Sequence, residues 1–244
     1  MIAAALLACA PARADRLALW HIVHDQCVAG ARAGVPPTPC ESVDLSQGED
    51  LGVAILKDRV GAAQHLAIPT RQIAGIESPD LLRQDAPDVW GAAWAARGLL
   101  GARLGGLAMP RETVAIAVNS SINRSQDQLH LHIDCVANDV AAVLAFEKDN
   151  LGERWTPLPE PLAGAKYFAR RLDGEALAGA APFRLLAEGL EEAKGQMGFE
   201  TLVAVGANFG DSQPGFVLLA SKGDLGGGGH GEDLQDHGCA IMGR

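Results

Sequence analysis

The sequence predicts an α+β protein in which helices pack to one side of an antiparallel sheet. Apolar segments with strand-like composition occur in pairs joined by short polar or glycine-containing links, which is typical of β-hairpins. Segments with apolar residues at helical spacing separate these pairs, so the order is helix, hairpin, helix, hairpin, loop, helix, hairpin. Locally paired strands of this kind form an antiparallel sheet, and we expect the intervening helices to cover one of its faces.

The composition excludes disordered and fibrous chains and argues against a nucleic-acid-binding protein. Of the 244 residues, 48% are hydrophobic, which is enough for a core in one domain or two small ones. The formal net charge is -10, whereas phosphate backbones are bound by clustered lysines and arginines. An anionic ligand would therefore need a local positive site.

The first fourteen residues, MIAAALLACAPARA, have the features of an export signal. An apolar run over 2–10 is followed by Ala12, Arg13 and Ala14, the small-x-small pattern at which signal peptidase cuts. We therefore expect a signal peptide at 1–14 and a domain over 15–244. The alternatives are an uncleaved membrane anchor, a lipoprotein signal with a lipidated cysteine in LLAC, and a buried helix start.

Beyond that segment the chain has four cysteines, and an even number predicts disulfide bonds in an exported protein. Four cysteines allow three pairings. One of them joins Cys27 to Cys40 across the proline-containing segment GVPPTPC, and Cys135 to Cys239 between a strand and the tail. Four buried free thiols are the alternative for a chain that is not exported.

The first half of the domain contains a helix, a hairpin and a second helix. DRLALWHIVHDQCV has apolar residues at helical spacing and predicts a helix over about 17–28. GVAILKDRVGAAQHLAIPT predicts a hairpin with strands at 53–57 and 65–69. A long apolar stripe that starts after Pro87 and ends at a glycine predicts a helix over about 88–104.

The second half adds a strand pair, a helix and a last hairpin. TVAIAVNS and LHLHIDCV are predicted strands joined by the polar link SINRSQDQ. A proline-rich surface connection at 155–164 leads to an amphipathic helix over 181–198 and a hairpin over 200–221. The glycine stretch within 222–239 is not followed by the lysine and hydroxyl residue of a P-loop, so it predicts a linker before a polar tail.

The strand LHLHIDCV carries polar side chains on one face. Because side chains alternate along a strand, the polar residues share one face and the apolar residues between them share the other. The polar residues are Gln128, His130, His132 and Asp134. A solvated sheet face, a metal site and a catalytic site are the three interpretations.

The polar link favours the catalytic interpretation over a metal site. A metal site needs three or four ligands, and no further histidine-rich motif points to this strand. A catalytic imidazole needs donors beside it that hold an anion. The link and its preceding strand supply such donors in Asn119, Ser120, Arg124, Ser125 and Gln126.

The segment AVNSSINRSQDQLHLHIDC resembles the signature region of the bacterial CDP-diacylglycerol pyrophosphatase family, a membrane-associated branch of the histidine-triad superfamily. Further segments resemble the same family in the same order, and together they span nearly the whole chain after the first fourteen residues. They include LKD and LAIPT within 56–70, WTPLPEPLAGAKYFARRL at 155–172 and LQDHGC at 234–239.

The resemblance implies a histidine-triad-like antiparallel sheet. The last hairpin, 202–220, is the candidate for the second half of a pseudo-duplicated arrangement within one chain. That hairpin carries no histidine pair, so the resemblance implies one active site per chain.

The resemblance also implies the roles of the strand residues. His130 holds the middle position of the triad motif, which is that of a nucleophile forming a covalent histidine-nucleotidyl intermediate. His132 holds the third position, where it binds a phosphate oxygen or the leaving group. Gln128 occupies the first position in place of a histidine, and an amide can exchange hydrogen bonds there but cannot carry charge.

The implied reaction is hydrolysis of CDP-diacylglycerol to CMP and phosphatidate, without a metal or another cofactor. Arg124, Ser125 and Gln126, with Asn119, would hold the phosphoryl oxygens. LKD resembles the segment whose aspartate contacts the ribose, which is Asp58 here. Lys57 is a cation beside it, but neighbouring strand residues point to opposite faces, so we favour Asp58.

The implied partners are CDP-diacylglycerol and a membrane surface, at the periplasmic face of the inner membrane or in the periplasm after signal cleavage. Two rivals remain: a histidine-triad hydrolase or transferase of soluble nucleotides, and a nucleotide-binding module in which Gln128 marks lost activity. The acyl-chain preference, water or an alcohol as acceptor, and the oligomeric state are left open.

Overall fold

The computed structural model describes residues 15–223 and 229–243, and it has the predicted α+β class. The predicted signal or anchor at 1–14 and the part of the predicted linker at 224–228 lie outside the described residues. Within the described ranges, one antiparallel sheet contains ten strands. In chain order these are β1 (Cys40–Asp44), β2 (Val53–Lys57), β3 (His65–Pro69), β4 (Val114–Val118), β5 (Leu131–Val136), β6 (Thr156–Pro157), β7 (Phe168–Asp173), β8 (Glu200–Phe209), β9 (Gln213–Lys222) and β10 (Gln235–Asp236).

The helices lie between these strands in the chain, and several short 3-10 turns accompany them. The α-helices of the described ranges are α1 (Ala18–His21), α2 (Ala29–Arg32), α3 (Val89–Ala96), α4 (Gly98–Arg103), α5 (Asn138–Glu147) and α6 (Pro182–Gly189). A π-helical stretch, Ile22–Val28, joins α1 and α2 into one continuous N-terminal helix. Among the described residues, no helix is both long and apolar enough to cross a membrane.

The strand order places β5 in the interior of the sheet. The order is β1-β2-β3-β5-β4-β8-β9-β7-β6, and β10 pairs with β5 beyond the end of β3. His132 on β5 lies opposite Leu66 of β3 on one side and Ala117 of β4 on the other. The strand with the histidines is therefore held by hydrogen bonds on both edges.

Helices cover both faces of the sheet, which corrects the prediction that they pack to one side. Along β4, Ile116 belongs to the apolar cluster under α3, α4 and α6, whereas Ala115 and Ala117 belong to a cluster under α5. On the face of α5, Ala54 of β2 packs against the N-terminal helix. The order of elements does not specify the face on which a helix packs, and α5 was absent from the predicted set.

The predicted hairpins are confirmed, and the predicted helices are present with different ends. The strands of the first hairpin have the predicted residues, and β8 and β9 form the last one. The N-terminal helix continues to Arg32, and the helix predicted over 88–104 divides at Arg97. The helix predicted over 181–198 ends at Gly189, where a side chain would approach the Trp155 ring to about 3.0 Å.

The short strands β6 and β10 were not predicted, and β1, β7 and α5 were missed because their side chains lack a clear apolar period. β1 buries little beyond its first residue, and β7 carries Arg170 and Arg171 in its middle. Helix α5 buries only Val140 and Leu144. Each is stabilised by contacts with distant parts of the chain, which local patterns do not report.

Two disulfide bonds confirm the prediction that the four cysteines after residue 14 are paired. Cys27 on the N-terminal helix bonds to Cys40 on β1 with a sequence separation of 13. Cys135 on β5 bonds to Cys239 in the tail with a separation of 104. The second bond attaches the C-terminal segment to the histidine strand.

Candidate active site

His130 and His132 project from the start of β5 on the face of the sheet that carries α5. Leu131 and Ile133 enter the core under α3, so alternation along the strand sends His132 to the other side. His130 lies one residue before the strand, which begins two residues later than predicted. The two imidazole rings are 4.8 Å apart between centroids and nearly perpendicular, at 67°.

One ring nitrogen of His130 forms a hydrogen bond, and the other forms none with the described residues. Its Nδ1 lies 2.6 Å from the backbone carbonyl oxygen of Gln128, so Nδ1 carries the proton and donates it. Nε2 has no hydrogen-bond partner among the described residues and therefore presents its lone pair. Burial lowers the pKa of His130, which keeps the ring neutral and nucleophilic.

His132 is held from one side and is more deeply enclosed. Its Nδ1 lies 3.2 Å from Oε2 of Glu232 and 3.3 Å from the amide nitrogen of Gln64. Its Nε2 is fully buried and has no hydrogen-bond partner in the described structure. Burial, and next the neighbouring His130, lower the pKa of His132 well below its usual value. The site thus contains two neutral imidazoles at neutral pH.

The Gln128 side chain binds backbone groups of the segment after β3. Its Nε2 donates to the carbonyl oxygens of Pro69, at 2.9 Å, and Arg71, at 3.0 Å, and its Oε1 accepts from the amide of Ile73 at 3.3 Å. These bonds use the amide as both donor and acceptor, which an imidazole could not reproduce in full. Gln128 thereby fixes its own carbonyl, the group that orients His130.

Lys57 is the last residue of β2 and Asp58 follows it, and their side chains differ in direction. Oδ2 of Asp58 lies 4.0 Å from Nδ1 of His132, at the edge of the histidine pair. The Lys57 ammonium donates to the carbonyl oxygens of Asp58, at 2.6 Å, and Gly61, at 3.1 Å. The structure therefore brings Asp58 to the histidines and places the Lys57 charge on the turn that follows.

Asn119 and Arg124 line a small cavity beside His130. The cavity is also lined by Gly75, Gln128 and neighbouring apolar residues. Arg124 forms a bidentate ion pair with Glu77, at 2.6 and 2.7 Å, and a further contact with Asp127. Its charge is therefore shared with two carboxylates.

Ser125 and Gln126 lie on the outer part of the same loop. Ser125 is exposed. The Gln126 side chain accepts from the amide of Leu19, at 2.9 Å, and donates to the carbonyl oxygen of Asp15, at 3.1 Å. These contacts attach the loop to the start of the N-terminal helix rather than to the histidine pair.

The C-terminal segment brings side chains to the histidines that the sequence patterns did not identify. Glu232 lies in the 3-10 turn Gly231–Leu234, and the next residues pair with β5. Gln235 donates to the carbonyl oxygens of Ala115, at 2.9 Å, and His132, at 3.0 Å. The predicted polar tail is therefore part of the sheet and of the site, and the Cys135–Cys239 pairing was the one sequence signal that connected them.

Asp134 and His237 form a second polar pair farther along the same strand. Nδ1 of His237 lies 2.7 Å from Oδ2 of the fully buried Asp134. Burial raises the pKa of Asp134, while the contact with His237 and the Cys135 amide opposes that rise. This pair joins the tail to β5.

One group of potential metal ligands lies close together in the part of the chain that the structure describes. In the described ranges, the one group of ligand atoms that lie within 4.8 Å of one another consists of Asp134, Cys135 and Cys239. The two sulfurs of that group are joined in a disulfide bond, so neither is a thiolate.

Comparisons with known proteins match most of the chain. A family model described as CDP-diacylglycerol pyrophosphatase matches residues 14–243. A curated CDP-diacylglycerol pyrophosphatase of Yersinia pestis is 38% identical over 227 residues, a stretch that covers 92% of this chain and 84% of that protein. The matched range contains every residue of the site described above.

Proposed function

The chain belongs to the CDP-diacylglycerol pyrophosphatase family, and on that premise we propose that it hydrolyses the pyrophosphate bond of CDP-diacylglycerol to CMP and phosphatidate. Within the structure, the observation that supports this reaction is the orientation of His130. A neutral imidazole whose Nδ1–H is held by a carbonyl presents Nε2 as a nucleophile of the kind that phosphoryl transfer requires.

The first step forms a covalent nucleotidyl-enzyme. Nε2 of His130 attacks the phosphorus on the cytidine side, the nitrogen–phosphorus bond forms, and the bond to the bridging oxygen breaks. Phosphatidate leaves with the bond electrons. The Nδ1 proton stays on the ring, where the Gln128 carbonyl stabilises the positive charge that develops.

The second step releases CMP. The oxygen of a water molecule bonds to phosphorus as the nitrogen–phosphorus bond breaks, and the bond electrons return to Nε2 of His130. The water loses a proton to a base. His132 is the neighbouring neutral imidazole, and its unpaired Nε2 makes it the base that we assign.

Asn119, Arg124 and Asp58 are the groups that we assign to substrate binding. Asn119 and Arg124 border the cavity beside His130, where the amide and the guanidinium can hold phosphoryl oxygens. Asp58 lies at the edge of His132 and is assigned to the ribose hydroxyls. We also assign Lys57, Ser125 and Gln126 to substrate binding, in the segments around this site. Lys57 donates to the Asp58 carbonyl, and Gln126 binds the start of the N-terminal helix.

Gln128 takes the place of the first histidine of the triad and acts through its backbone. The contacts of its side chain with the segment after β3 support this role. An active enzyme with an amide in this position is thus chemically consistent.

We also propose a histidine-triad-like, pseudo-duplicated arrangement. The hairpin β8–β9 continues the sheet from β4, in the position that a second half would occupy. It contains no histidine, so the chain has one active site.

The protein is proposed to act at the periplasmic face of the inner membrane, where its lipid substrate is accessible. The two disulfide bonds support an oxidising compartment. The residues at 1–14 supply either a cleaved signal or the anchor.

Turnover of the lipid by His130→Ala tests the proposal. The wild-type protein should release CMP from CDP-diacylglycerol in detergent micelles, and the variant should lose kcat by at least about 10³-fold because the covalent route is removed. His21→Ala is the matched control, because His21 lies on the N-terminal helix and its ring contacts Asp25 there.

Two further measurements distinguish the rivals. CDP-diacylglycerol labelled on the cytidine-side phosphorus should leave acid-labile label on the wild-type protein and none on His130→Ala. A protein that prefers soluble dinucleoside polyphosphates or nucleotidyl phosphoramidates to the lipid would instead be the soluble-nucleotide hydrolase. Full turnover by His130→Ala would contradict the assignment of the nucleophile.

A further inference from the structure

The C-terminal segment places a carboxylate directly behind the second histidine. Gly231 approaches the sheet so closely that a side chain there would meet Oγ1 of Thr201 at 2.6 Å, and its amide donates to Oδ1 of Asn119 at 3.1 Å. Gln235 and the Cys135–Cys239 bond hold the segment on the other side of Glu232. Glu232 is therefore fixed from both sides.

Glu232 uses its two oxygens on two different site residues. Oε1 accepts from the amide of Asn119 at 2.6 Å, and Oε2 lies 3.2 Å from Nδ1 of His132. Its side chain is 20% exposed, so water competes only weakly for these contacts. No other described acid comes closer to the His132 ring, since Oδ2 of Asp58 lies at 4.0 Å.

The Gln64 amide and the Glu232 carboxylate both contact Nδ1 of His132. A hydrogen bond from Gln64 would place the ring proton on Nε2 rather than on Nδ1. The Gln64 amide nitrogen lies 3.3 Å from Nδ1 of His132, and a bond from Gln64 would require Nδ1 to be the acceptor. The carboxylate is closer, and hydrogen bonds to ionised groups are roughly twice as strong as neutral ones. The Gln64 amide also has Oε2 of Glu232 as an acceptor, at 3.4 Å.

We propose that Glu232 is a positioning residue that holds His132 with its proton on Nδ1, so that Nε2 accepts a proton from the water that hydrolyses the intermediate. This inference rests on the proposed function. Phosphatidate leaves as a phosphate anion and needs no proton, whereas the attacking water must lose one, so the second step depends on the base. Nε2 of His132 is fully buried and has no hydrogen-bond partner in the described structure. This independently indicates that a reacting group supplies the missing hydrogen bond.

The proton balance of the step follows from this arrangement. Nε2 of His132 takes the water proton as the oxygen–phosphorus bond forms, and the carboxylate of Glu232 stabilises the imidazolium. After CMP departs, the ring returns that proton to solvent. Glu232 itself stays ionised throughout, as an orienting carboxylate does in a catalytic triad.

Glu232→Gln tests the proposal with little change of shape. The new amide would keep a bond with Asn119 but present an N–H to His132, which forces the proton to Nε2. We expect kcat on CDP-diacylglycerol to fall by about 100-fold or more. The labelled covalent intermediate should accumulate to a larger fraction of the enzyme than in wild type, because its hydrolysis is slowed more than its formation. Glu188→Gln, the same change at an exposed carboxylate on α6 at the opposite face of the sheet, should behave as wild type.

A spectroscopic measurement on the wild-type protein tests the proposal without depending on the folding of a variant or on turnover of the substrate. Nitrogen-15 spectra of histidine-labelled wild-type protein should show the His132 proton on Nδ1, with the signals assigned by their loss in His132→Gln. Glu232→Gln should move that proton to Nε2.

Three results would overturn the inference: a wild-type proton on Nε2, a kcat within about threefold of wild type in Glu232→Gln, or an equal loss of turnover and of covalent labelling. Absence of CDP-diacylglycerol turnover by the wild-type protein would instead contradict the proposed function, and the wild-type spectrum would still test the contact between Glu232 and His132.

Discussion

The two site histidines gain their reactivity from burial and from a single backbone contact. His130 and His132 are 8% and 5% exposed, and desolvation disfavours their charged forms. The Gln128 carbonyl then decides which nitrogen of His130 is free. A histidine on the surface of the same sheet would be protonated over part of the neutral range and would have no fixed tautomer.

The lowered pKa of His130 makes a prediction for the pH dependence of the reaction. Because burial lowers this pKa from 6.5, the nucleophile stays neutral below the pH at which a free histidine becomes half protonated. We expect the acid limb of kcat/KM to have its midpoint below 6.5, the pKa of a free histidine. An acid-limb midpoint at or above 6.5 in initial-rate measurements would show that the nucleophile is not desolvated.

Glu200 at the start of β8 makes a prediction for stability. Burial raises its pKa to about 7, nearby Lys222 opposes that rise, and one of its oxygens has no hydrogen-bond partner. The folded state therefore binds more protons than the unfolded state between the unfolded pKa of 4.5 and about 7, so stability decreases as pH rises through this range.

Glu200→Gln should remove the decrease in stability that wild type shows as pH rises. We expect the variant to equal wild type near pH 4 and to exceed it by up to about 3 kcal/mol in free energy of unfolding at pH 8. Urea denaturation at both pH values measures the difference. A constant difference between the two proteins across pH would contradict the raised pKa.

At the scale of elements, the C-terminal segment is the part that completes the site. It adds β10 to the edge of β5 and inserts the turn with Glu232 between the histidines and the loop with Asn119. Few apolar residues stabilise this segment. The Cys135–Cys239 disulfide bond at its end supplies the stabilisation that a longer element would gain by burying a core.

The two disulfide bonds should therefore differ in their effect on activity. Cys135→Ser with Cys239→Ser should lower stability by about 2–5 kcal/mol and reduce kcat by at least about tenfold, because the tail and Glu232 are released. Cys27→Ser with Cys40→Ser is the matched control: it should also lower stability but keep kcat within about threefold, since that bond lies away from the histidines. Equal losses of kcat at a temperature where both variants are folded would argue against a role for the tail.

The strands and helices differ in how far local patterns predicted them. Hairpins β2–β3 and β8–β9 have buried apolar runs joined by short turns, and their bounds agree with the prediction. β7 carries charged side chains, and α5 buries two residues, so neither has a local signature. These two elements exist because a completed sheet offers them hydrogen bonds and an apolar surface.

At the scale of the whole molecule, the site occupies a polar gap between two apolar regions of one sheet face. The N-terminal helix covers β2 and β3, and α5 covers β4, β8 and β9. His130, His132 and Glu232 lie between these covers. The opposite face is closed by α3, α4 and α6, so the fold leaves one side for a substrate.

The resemblance to the CDP-diacylglycerol pyrophosphatase family implies a reaction without a metal, which removal of metal tests. The one close group of ligand atoms in the described ranges contains two disulfide sulfurs, and Asp58, Glu232 and His132 do not converge to the same degree. We expect kcat on CDP-diacylglycerol to stay within about threefold of the untreated protein after EDTA and gel filtration. A loss that zinc or magnesium restores would contradict this expectation and the assignment of the base.

The sequence by itself determined the α+β class, two hairpins, the cysteines that form disulfides and the strand that contains His132, with His130 directly before it. These properties follow from the alternation of apolar residues, from turn residues and from the number of cysteines, all of which are local or compositional. Only the tertiary structure decided that helices cover both faces, that Gln126 binds the N-terminal helix, and that Glu232 lies against His132. Such contacts join residues far apart in the chain, and their geometry depends on the strand order, which local periodicity does not specify.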